Sequence, residues 1–182
     1  MKKLFIALAV SILFLSGCGE KLMNTPTKKV EMFLDKYKTL DKDVTTQLDE
    51  VINNEGLFTD DDDKDTYRDI MKHHYQDLTY EIKEEKVNGN QAVVTAEVEV
   101  TDYSKIMSDA NNYLSSHRDE FNDENNNYSE SKFTKYRLEQ LKNAKNKVKY
   151  TIDFQLTKKN NTWVLDDLTD EQEAKINGMY TY

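Results

Sequence analysis

The sequence predicts an α+β domain built from N-terminal helices and an antiparallel sheet, with a helical insertion between two hairpins. Apolar residues change along the chain from the helical spacing of about 3.6 residues to strict alternation, and back again. Asn88-Gly89 and Asn160-Asn161 each lie between alternating runs, so they predict two β-hairpins. The whole chain holds one Pro and five Gly, which favours long regular elements because these residues interrupt helices and strands most often.

Three helices are predicted before the first strand. Thr25-Pro26 is typical of a helix start, because threonine caps the free backbone N–H groups and proline fits the first helical position. The second helix is expected to end near Gly56. The residues on the inward faces are Val30, Phe33, Leu34 and Tyr37 in the first helix, Val44, Leu48, Val51 and Ile52 in the second, and Tyr67, Ile70, Met71, Tyr75 and Leu78 in the third.

The acidic run 60–65 admits two interpretations. A calcium loop starting at Asp60 would have Lys64 at its fifth position and Asp65 at its sixth, where such a loop requires glycine. Its twelfth position would be Met71 instead of glutamate. We therefore expect the acids at the N-terminus of the third helix, where their charge favours the helix dipole. No metal site is predicted.

The two hairpins enclose a helical insertion over residues 103–146. A polar segment, 122–130, has no apolar anchor and is expected to be a mobile loop inside the insertion. A last short helix is expected to start at Thr169, with Gln172 completing a capping box. The alternating apolar residues are Leu78, Tyr80 and Ile82, then Ala92, Val94, Ala96, Val98 and Val100, then Val148, Tyr150, Ile152, Phe154 and Leu156, and finally Trp163 and Leu165. Helical spacing covers Ile106, Ala110, Tyr113, Leu114, His117 and Phe121, then Phe133, Tyr136, Leu141 and Ala144.

The N-terminus predicts a secretory signal. A basic start precedes an apolar run from Leu4 to Leu15, which suits a signal core but is shorter than the ~20 residues of a membrane-spanning helix. The run ends in Leu15-Ser16-Gly17-Cys18, which resembles the lipobox of bacterial lipoproteins. That resemblance implies a signal peptide over 1–17, diacylglyceryl lipid on Cys18, a tether over 18–24 and a domain over 25–182. An ordinary secretory signal followed by a stray cysteine is the alternative.

Charge and cysteine content limit the partners. Removal of 1–17 would take two lysines and no acid, which changes the formal net charge from −9 to −11. Such a chain is not expected to bind nucleic acid, which requires clustered Lys and Arg. With its one cysteine lipidated, no thiol would remain for a disulfide, a metal site or catalysis. We expect a monomer on the extracytoplasmic face of the cell membrane, held there by lipid.

The order of elements resembles the nuclear-transport-factor-2-like (cystatin-like) cone found in small bacterial lipoproteins. Two stretches resemble strand patterns of that family, Tyr80 to Val94 (YEIKEEKVNGNQAVV) and Leu156 to Asp167 (LTKKNNTWVLDD). The resemblance implies a curved antiparallel sheet wrapped around the N-terminal helices, and a buried Trp163. Residues 103–146 depart from the family pattern, because the insertion between the hairpins is longer than in compact members of the family. These patterns are structural, so they indicate a fold and not an activity.

Candidate catalytic groups are few. Enzymes of the resembled fold often place an Asp, His or Tyr at the mouth of the cone. His73 and His74 are adjacent, so they point about 100° apart on a helix and are poorly placed to share a metal. His117 is expected to face inward and Asp153 to face solvent. Asp77, Tyr80 and Tyr150 could line a cavity. No catalytic residue and no cofactor are predicted.

The tyrosines leave two interpretations open. Those on or near apolar faces could fill a core that is poor in Leu and Phe, or they could line a binding groove, since tyrosine joins an apolar body to a polar tip. They are Tyr75, Tyr80, Tyr103, Tyr113, Tyr136 and Tyr150. The predicted function is a non-catalytic binding or interaction lipoprotein, possessing at most a shallow tyrosine-lined mouth. The alternatives are a cone-fold enzyme using a cavity His, Asp or Tyr, and a scaffolding lipoprotein.

Overall fold

The computed structural model describes residues 23–54, 58 and 60–181. The predicted signal peptide (1–17), Cys18 and the tether as far as residue 22 lie outside the described residues, as does Gly56. Within the described ranges, no helix has both the length and the apolar character that crossing a membrane requires.

Among the described residues, three helices precede the sheet, as predicted: α1 (Pro26–Lys38), α2 (Lys42–Asn54) and α3 (Asp61–Gln76). Thr25 caps α1, and its hydroxyl oxygen accepts a hydrogen bond from the backbone N–H of Lys28 at 3.1 Å. Asp60 caps α3 in the same way, accepting from the backbone N–H of Asp62 at 2.9 Å. The acidic run therefore begins a helix, as its charge pattern predicts.

Four antiparallel strands form one sheet in the order β1-β2-β3-β4. They are β1 (Thr79–Asn88), β2 (Gln91–Thr101), β3 (Lys147–Lys159) and β4 (Thr162–Leu165). The alternation in β2 and β3 is confirmed, because their apolar residues lie buried on the same face and pair across the strands, as Val94 does with Phe154. Two hairpins and a central β2-β3 pairing thus give the predicted α+β class.

One of the two hairpin turns lies where it was predicted, and the other is shifted by one residue. Asn160 and Asn161 have φ of +50° and +63°, the left-handed pair that a tight two-residue turn requires. In the first hairpin, Asn88 still pairs with Gln91, so the turn residues are Gly89 and Asn90. Gly89 takes the left-handed position, with φ of +60°. The predicted turn was therefore one residue too early.

The insertion contains α4 (Tyr103–Ser116), a 3₁₀ turn (Arg118–Phe121) and α5 (Glu130–Lys142). The prediction that 122–130 lacks an apolar anchor was wrong. Tyr128 is half-buried and packs on a cluster formed by Ala110, Phe121 and Phe133, and its backbone forms a β-bridge with Asn122. A single aromatic residue inside a polar run is thus enough to attach this segment to the helices beside it.

The main core lies between α1, the sheet and a last helix, α6 (Asp170–Ile176). Val30 and Leu34 of α1 are fully buried there, and Phe33 packs edge-on against Phe154 with ring centroids 6.0 Å apart. Thr169 and the side chain of Gln172 form the predicted capping box at the start of α6. A second cluster joins α2, α3, α4 and α5, so the insertion shares a core with the N-terminal helices.

Candidate functional site

A groove of about 370 Å³ opens where α2, α3 and α6 meet beside the end of α1. Three tyrosines line it, Tyr37, Tyr67 and Tyr75, and we call it the tyrosine groove. Its size lies within the range of small-molecule sites, which is roughly 300–1,000 Å³. The described part of the chain thus has an aromatic concavity away from the face of the sheet.

Helical spacing places the aromatic residues of this groove. Tyr67, Met71 and Tyr75 follow at intervals of four on α3, so they occupy neighbouring turns of one face. Tyr37 reaches them from the last turn of α1, and its ring meets Tyr75 edge-on with centroids 5.0 Å apart. The Tyr75 hydroxyl donates to Oδ1 of Asn177, at 3.0 Å, which joins α3 to the end of α6.

Two phenols of the groove, Tyr37 and Tyr75, have raised pKa values. Burial, and to a lesser extent the carboxylate of Glu173, raises the pKa of Tyr37 to about 12. The pKa of Tyr75 is also raised, mainly by burial and in part by Tyr37, Tyr67 and Glu173. Both phenols are therefore uncharged at neutral pH. Tyr37 is half-buried and Tyr75 is only 6% exposed, so Tyr37 offers the groove more of its ring.

Two carboxylates border the groove, Glu50 on α2 and Glu173 on α6, and both residues are exposed. Among the described residues neither side chain makes an ion pair or a hydrogen bond. The described residues that line the groove include no Lys, Arg or His. The groove is therefore acidic and aromatic, and its charge is not neutralised by the protein itself.

A larger cleft, of about 670 Å³, lies between α3, α5 and the start of β3. Its charges are of both signs and partly paired. The ammonium of Lys147 lies 3.8 Å from Asp77 Oδ2 and donates to Thr101 Oγ1 at 3.2 Å, while His73 Nε2 lies 3.5 Å from Asp77 Oδ2. Lys142 also lines it, in the last turn of α5, where a cation favours the helix dipole. Because its lysines and aspartates oppose one another, this cleft presents no charge of a single sign, and we do not choose it as the site.

His74 is the buried histidine of the described chain, with a side chain 1% exposed. Its Nε2 donates to the carbonyl of Ile176 at 2.9 Å, and its ring stacks on Tyr103 with centroids 4.8 Å apart. Burial is the main cause that lowers the pKa of His74 to about 4. Its Nδ1 is buried without a hydrogen-bond partner in the described residues. His74 thus joins α3 to α6 as a neutral structural group.

Gly178 lies at the same contact between α3 and the end of α6. It has φ of +67°, and a Cβ added to it would lie 2.1 Å from the carbonyl oxygen of Thr101 and 3.0 Å from Cε1 of His74. Only glycine fits this close approach of the backbone. The segment after α6 is therefore held against β2 and α3, which keeps Asn177 beside Tyr75.

The expectation that His117 faces inward was wrong. His117 is exposed and caps the C-terminus of α4, where it stacks on Tyr113 with ring centroids 4.0 Å apart. The helix ends at Ser116, so the periodic pattern no longer decides the direction of the next side chain. Asp153 faces solvent as expected, and accepts from the Thr95 hydroxyl at 2.6 Å.

The structure does not bring Asp77, Tyr80 and Tyr150 together. Tyr80 donates to Asp35 of α1 at 2.9 Å, Tyr150 is buried in the main core, and Asp77 lies in the larger cleft. Of the tyrosines placed near apolar faces, Tyr75 alone lines the tyrosine groove, while Tyr103 and Tyr150 fill core positions. In the ranges that the structure describes, no three acidic, His or Cys side chains are placed to hold a metal ion.

Sequence reasoning missed four residues of the groove: Tyr37, Tyr67, Glu50 and Glu173. The sequence predicts Tyr37 and Tyr67 on inward helical faces. Both are half-buried, so the predicted faces are correct, but each residue also lines the groove. The hydroxyl group of tyrosine was the available signal, because a polar group on an inward face often lies at the edge of a core, next to an opening. The two glutamates carry no sequence signal, because they lie on separate helices in an acidic chain.

Comparisons with known proteins give little more. No protein-family model and no curated protein matches this chain. Among solved structures, it resembles the crystal structure of a "putative lipoprotein" (ycdA) from Bacillus subtilis subsp. subtilis str. 168, with 20% sequence identity and a TM-score of 0.41. The match covers 73% of this chain and 43% of that chain, so the chain spans less than half of its length. A likeness this distant carries no argument about function.

Proposed function

We propose that this chain is a lipid-anchored lipoprotein of the extracytoplasmic membrane face, whose domain over 25–182 binds a small molecule in the tyrosine groove. The lipobox-like Leu15-Ser16-Gly17-Cys18 after a basic start and an apolar run supports the anchor. Two acyl chains hold a protein at a membrane firmly, whereas one is marginal. The anchor is thus the diacylglyceryl group on Cys18. The mature chain, with a formal net charge of −11, stays monomeric and does not bind nucleic acid.

The tyrosine groove is the observation that carries the binding function. It is concave, aromatic and bordered by carboxylates that have no partner among the described residues. Carboxylates of one sign at the border of an aromatic concavity suit a ligand that carries the opposite charge. The larger cleft, in contrast, carries charges of both signs.

Binding is better supported than catalysis by the groups present. A general acid–base mechanism needs a titratable pair within hydrogen-bond reach. In the groove, the Tyr75 hydroxyl is bonded to Asn177, whose amide does not titrate, and burial raises the pKa of Tyr75 far from neutrality. The geometry thus favours recognition of a ligand by rings and carboxylates.

The anchor predicts the behaviour of Cys18→Ser. Without the thiol no thioether to lipid can form, so the protein should leave the membrane fraction or accumulate as unprocessed precursor. Cell fractionation with immunoblotting, together with mass spectrometry of the mature N-terminus, would measure this. A mutant that is processed normally and stays in membranes through a high-salt wash would show that Cys18 is not the anchor.

Filling the groove tests the binding function. Val51, 40% exposed at the border of the groove, can be replaced by tryptophan without entering the core. Val87, 53% exposed on β1, is a matched control. In thermal-shift screening against a fragment library, compounds should stabilise the wild type and Val87→Trp but not Val51→Trp. Compounds that stabilise Val51→Trp as well as wild type would place binding elsewhere.

A further inference from the structure

We infer that the ligand of the tyrosine groove is a small organic cation whose ammonium group carries apolar substituents, of about the size of choline. This inference rests on the proposed function, because it names the ligand class of the same groove. Three properties of the described residues carry it: the sign of the charge, the aromatic lining and the apolar part of the remaining wall.

The charge of the groove selects a cation. Glu50 and Glu173 come from different helices and converge on the same concavity, and the described lining holds no basic side chain to neutralise them. The field of Glu173 reaches the rings, since it raises the pKa of both Tyr37 and Tyr75. An anionic ligand would be repelled by this field, whereas a cation would be attracted.

The aromatic lining favours the same sign. A cation within about 6 Å of a tyrosine ring is attracted by the negative face of the ring. Five described rings carry one of the protein's own cations, but none of the described cations lies over Tyr37 or Tyr75. The five pairs are Lys38 with Tyr80, Arg118 with Tyr128, Arg137 with Phe133, Lys158 with Trp163 and Lys175 with Tyr180. Tyr75 is only 6% exposed, whereas Tyr37 is half-buried, so the Tyr37 ring is the more accessible of the two to a bound cation.

The rest of the wall decides which cation fits. Leu48, Met71 and Ala174 line the groove together with Gln47 and Asn177, so a bound cation meets apolar as well as polar surface. A bare metal ion or a primary ammonium would lose much hydration there, whereas an alkylated ammonium carries its own apolar groups and loses less. A concavity of about 370 Å³ suits a small molecule.

Choline and its uncharged isostere 3,3-dimethylbutan-1-ol provide the direct test, because they have nearly the same shape. Both would be titrated calorimetrically against the full chain in nonionic detergent at low salt. Choline should bind saturably at one site and about tenfold more tightly than the isostere, since cation–π attraction and the carboxylates act on the charge alone. Val51→Trp should abolish this binding, whereas Val87→Trp should retain it.

Carboxylate variants test the charge separately. The double variant Glu50→Gln, Glu173→Gln should weaken choline binding about fivefold at low salt, since each exposed carboxylate contributes modestly. Binding of the isostere should not change. Glu124→Gln is the matched control, because Glu124 is exposed and lies in the loop of the insertion. This control should bind choline as the wild type does.

The outcomes separate the two proposals. If choline and the isostere bind equally, and both are lost in Val51→Trp, the groove is a binding site but the inference of a cationic ligand is wrong. If choline does not bind saturably, the inference is also overturned, and the fragment screen alone decides the proposed function. If choline binds the double glutamine variant and Val51→Trp as well as the wild type, its site is not this groove.

Discussion

Replacing Trp163 with alanine is expected to lower the free energy of unfolding by roughly 3–5 kcal/mol, the usual cost of removing a buried aromatic side chain. Trp163 is 6% exposed and belongs to the main core with Val30 and Leu34 of α1. β4 has only four residues, so little of the surrounding structure can close the cavity left by the indole. Urea unfolding followed by circular dichroism would give the difference.

Asn125→Ala provides the comparison for this prediction. Asn125 is exposed in the loop of the insertion, and its backbone N–H, which donates to Asp123 Oδ1 at 2.8 Å, is retained by alanine. The change should alter the free energy of unfolding by no more than about 0.5 kcal/mol. Equal effects of the two substitutions would mean that Trp163 does not belong to the core as described here.

His74 should make the protein less stable as the pH falls. In the unfolded chain a histidine takes up a proton as the pH drops through about 6.5, whereas burial keeps His74 neutral in the folded protein down to about pH 4. Acid therefore favours the unfolded state in the window between these values. The full pKa difference corresponds to about 3 kcal/mol, of which about 2 kcal/mol should be lost between pH 7 and pH 5.

The origin of this pH dependence can be isolated with matched variants. His74→Gln removes the titrating group, so the free energy of unfolding should change less between pH 7 and pH 5 than in the wild type, whatever the variant's own stability. Asn125→Ala, which removes no titrating group, should keep the wild-type pH dependence. An unchanged pH dependence in His74→Gln would show that His74 is not the buried neutral histidine. Asp77 and Lys147 also act on His74 electrostatically, with opposite signs, and both variants retain these two groups.

Elements defined by short-range patterns could be predicted from the sequence. Alternation in β2 and β3, the left-handed Asn160-Asn161 turn, the Thr25 cap and the capping box at Thr169 all appear in the structure as expected. Each depends on residues within a few positions of one another, where backbone geometry and local hydrogen bonds dominate. The α+β class follows because these elements occur in an order that alternates helices with hairpins.

The lipobox-like stretch ending at Cys18 is likewise a matter of sequence alone, and the anchor it implies remains a prediction. Processing enzymes recognise a short segment before the domain has folded, so the predicted membrane location does not depend on tertiary contacts. The predicted signal-peptide boundary at residue 17 follows from the same stretch, and Cys18→Ser tests it. The predicted start of the domain at residue 25 depends instead on the Thr25-Pro26 helix start.

Only the tertiary structure decided which histidine is buried and where the tyrosines form a surface. His74 is neutral because burial lowers its pKa. Its Nε2 donates to the carbonyl of Ile176, which is 102 positions away in the chain. The tyrosine groove needs α1, α2, α3 and α6 at once, and its two carboxylates border it from separate helices, α2 and α6. Helical periodicity determines which side chains share a face, but it does not determine whether that face meets a neighbouring helix or ends at an open groove.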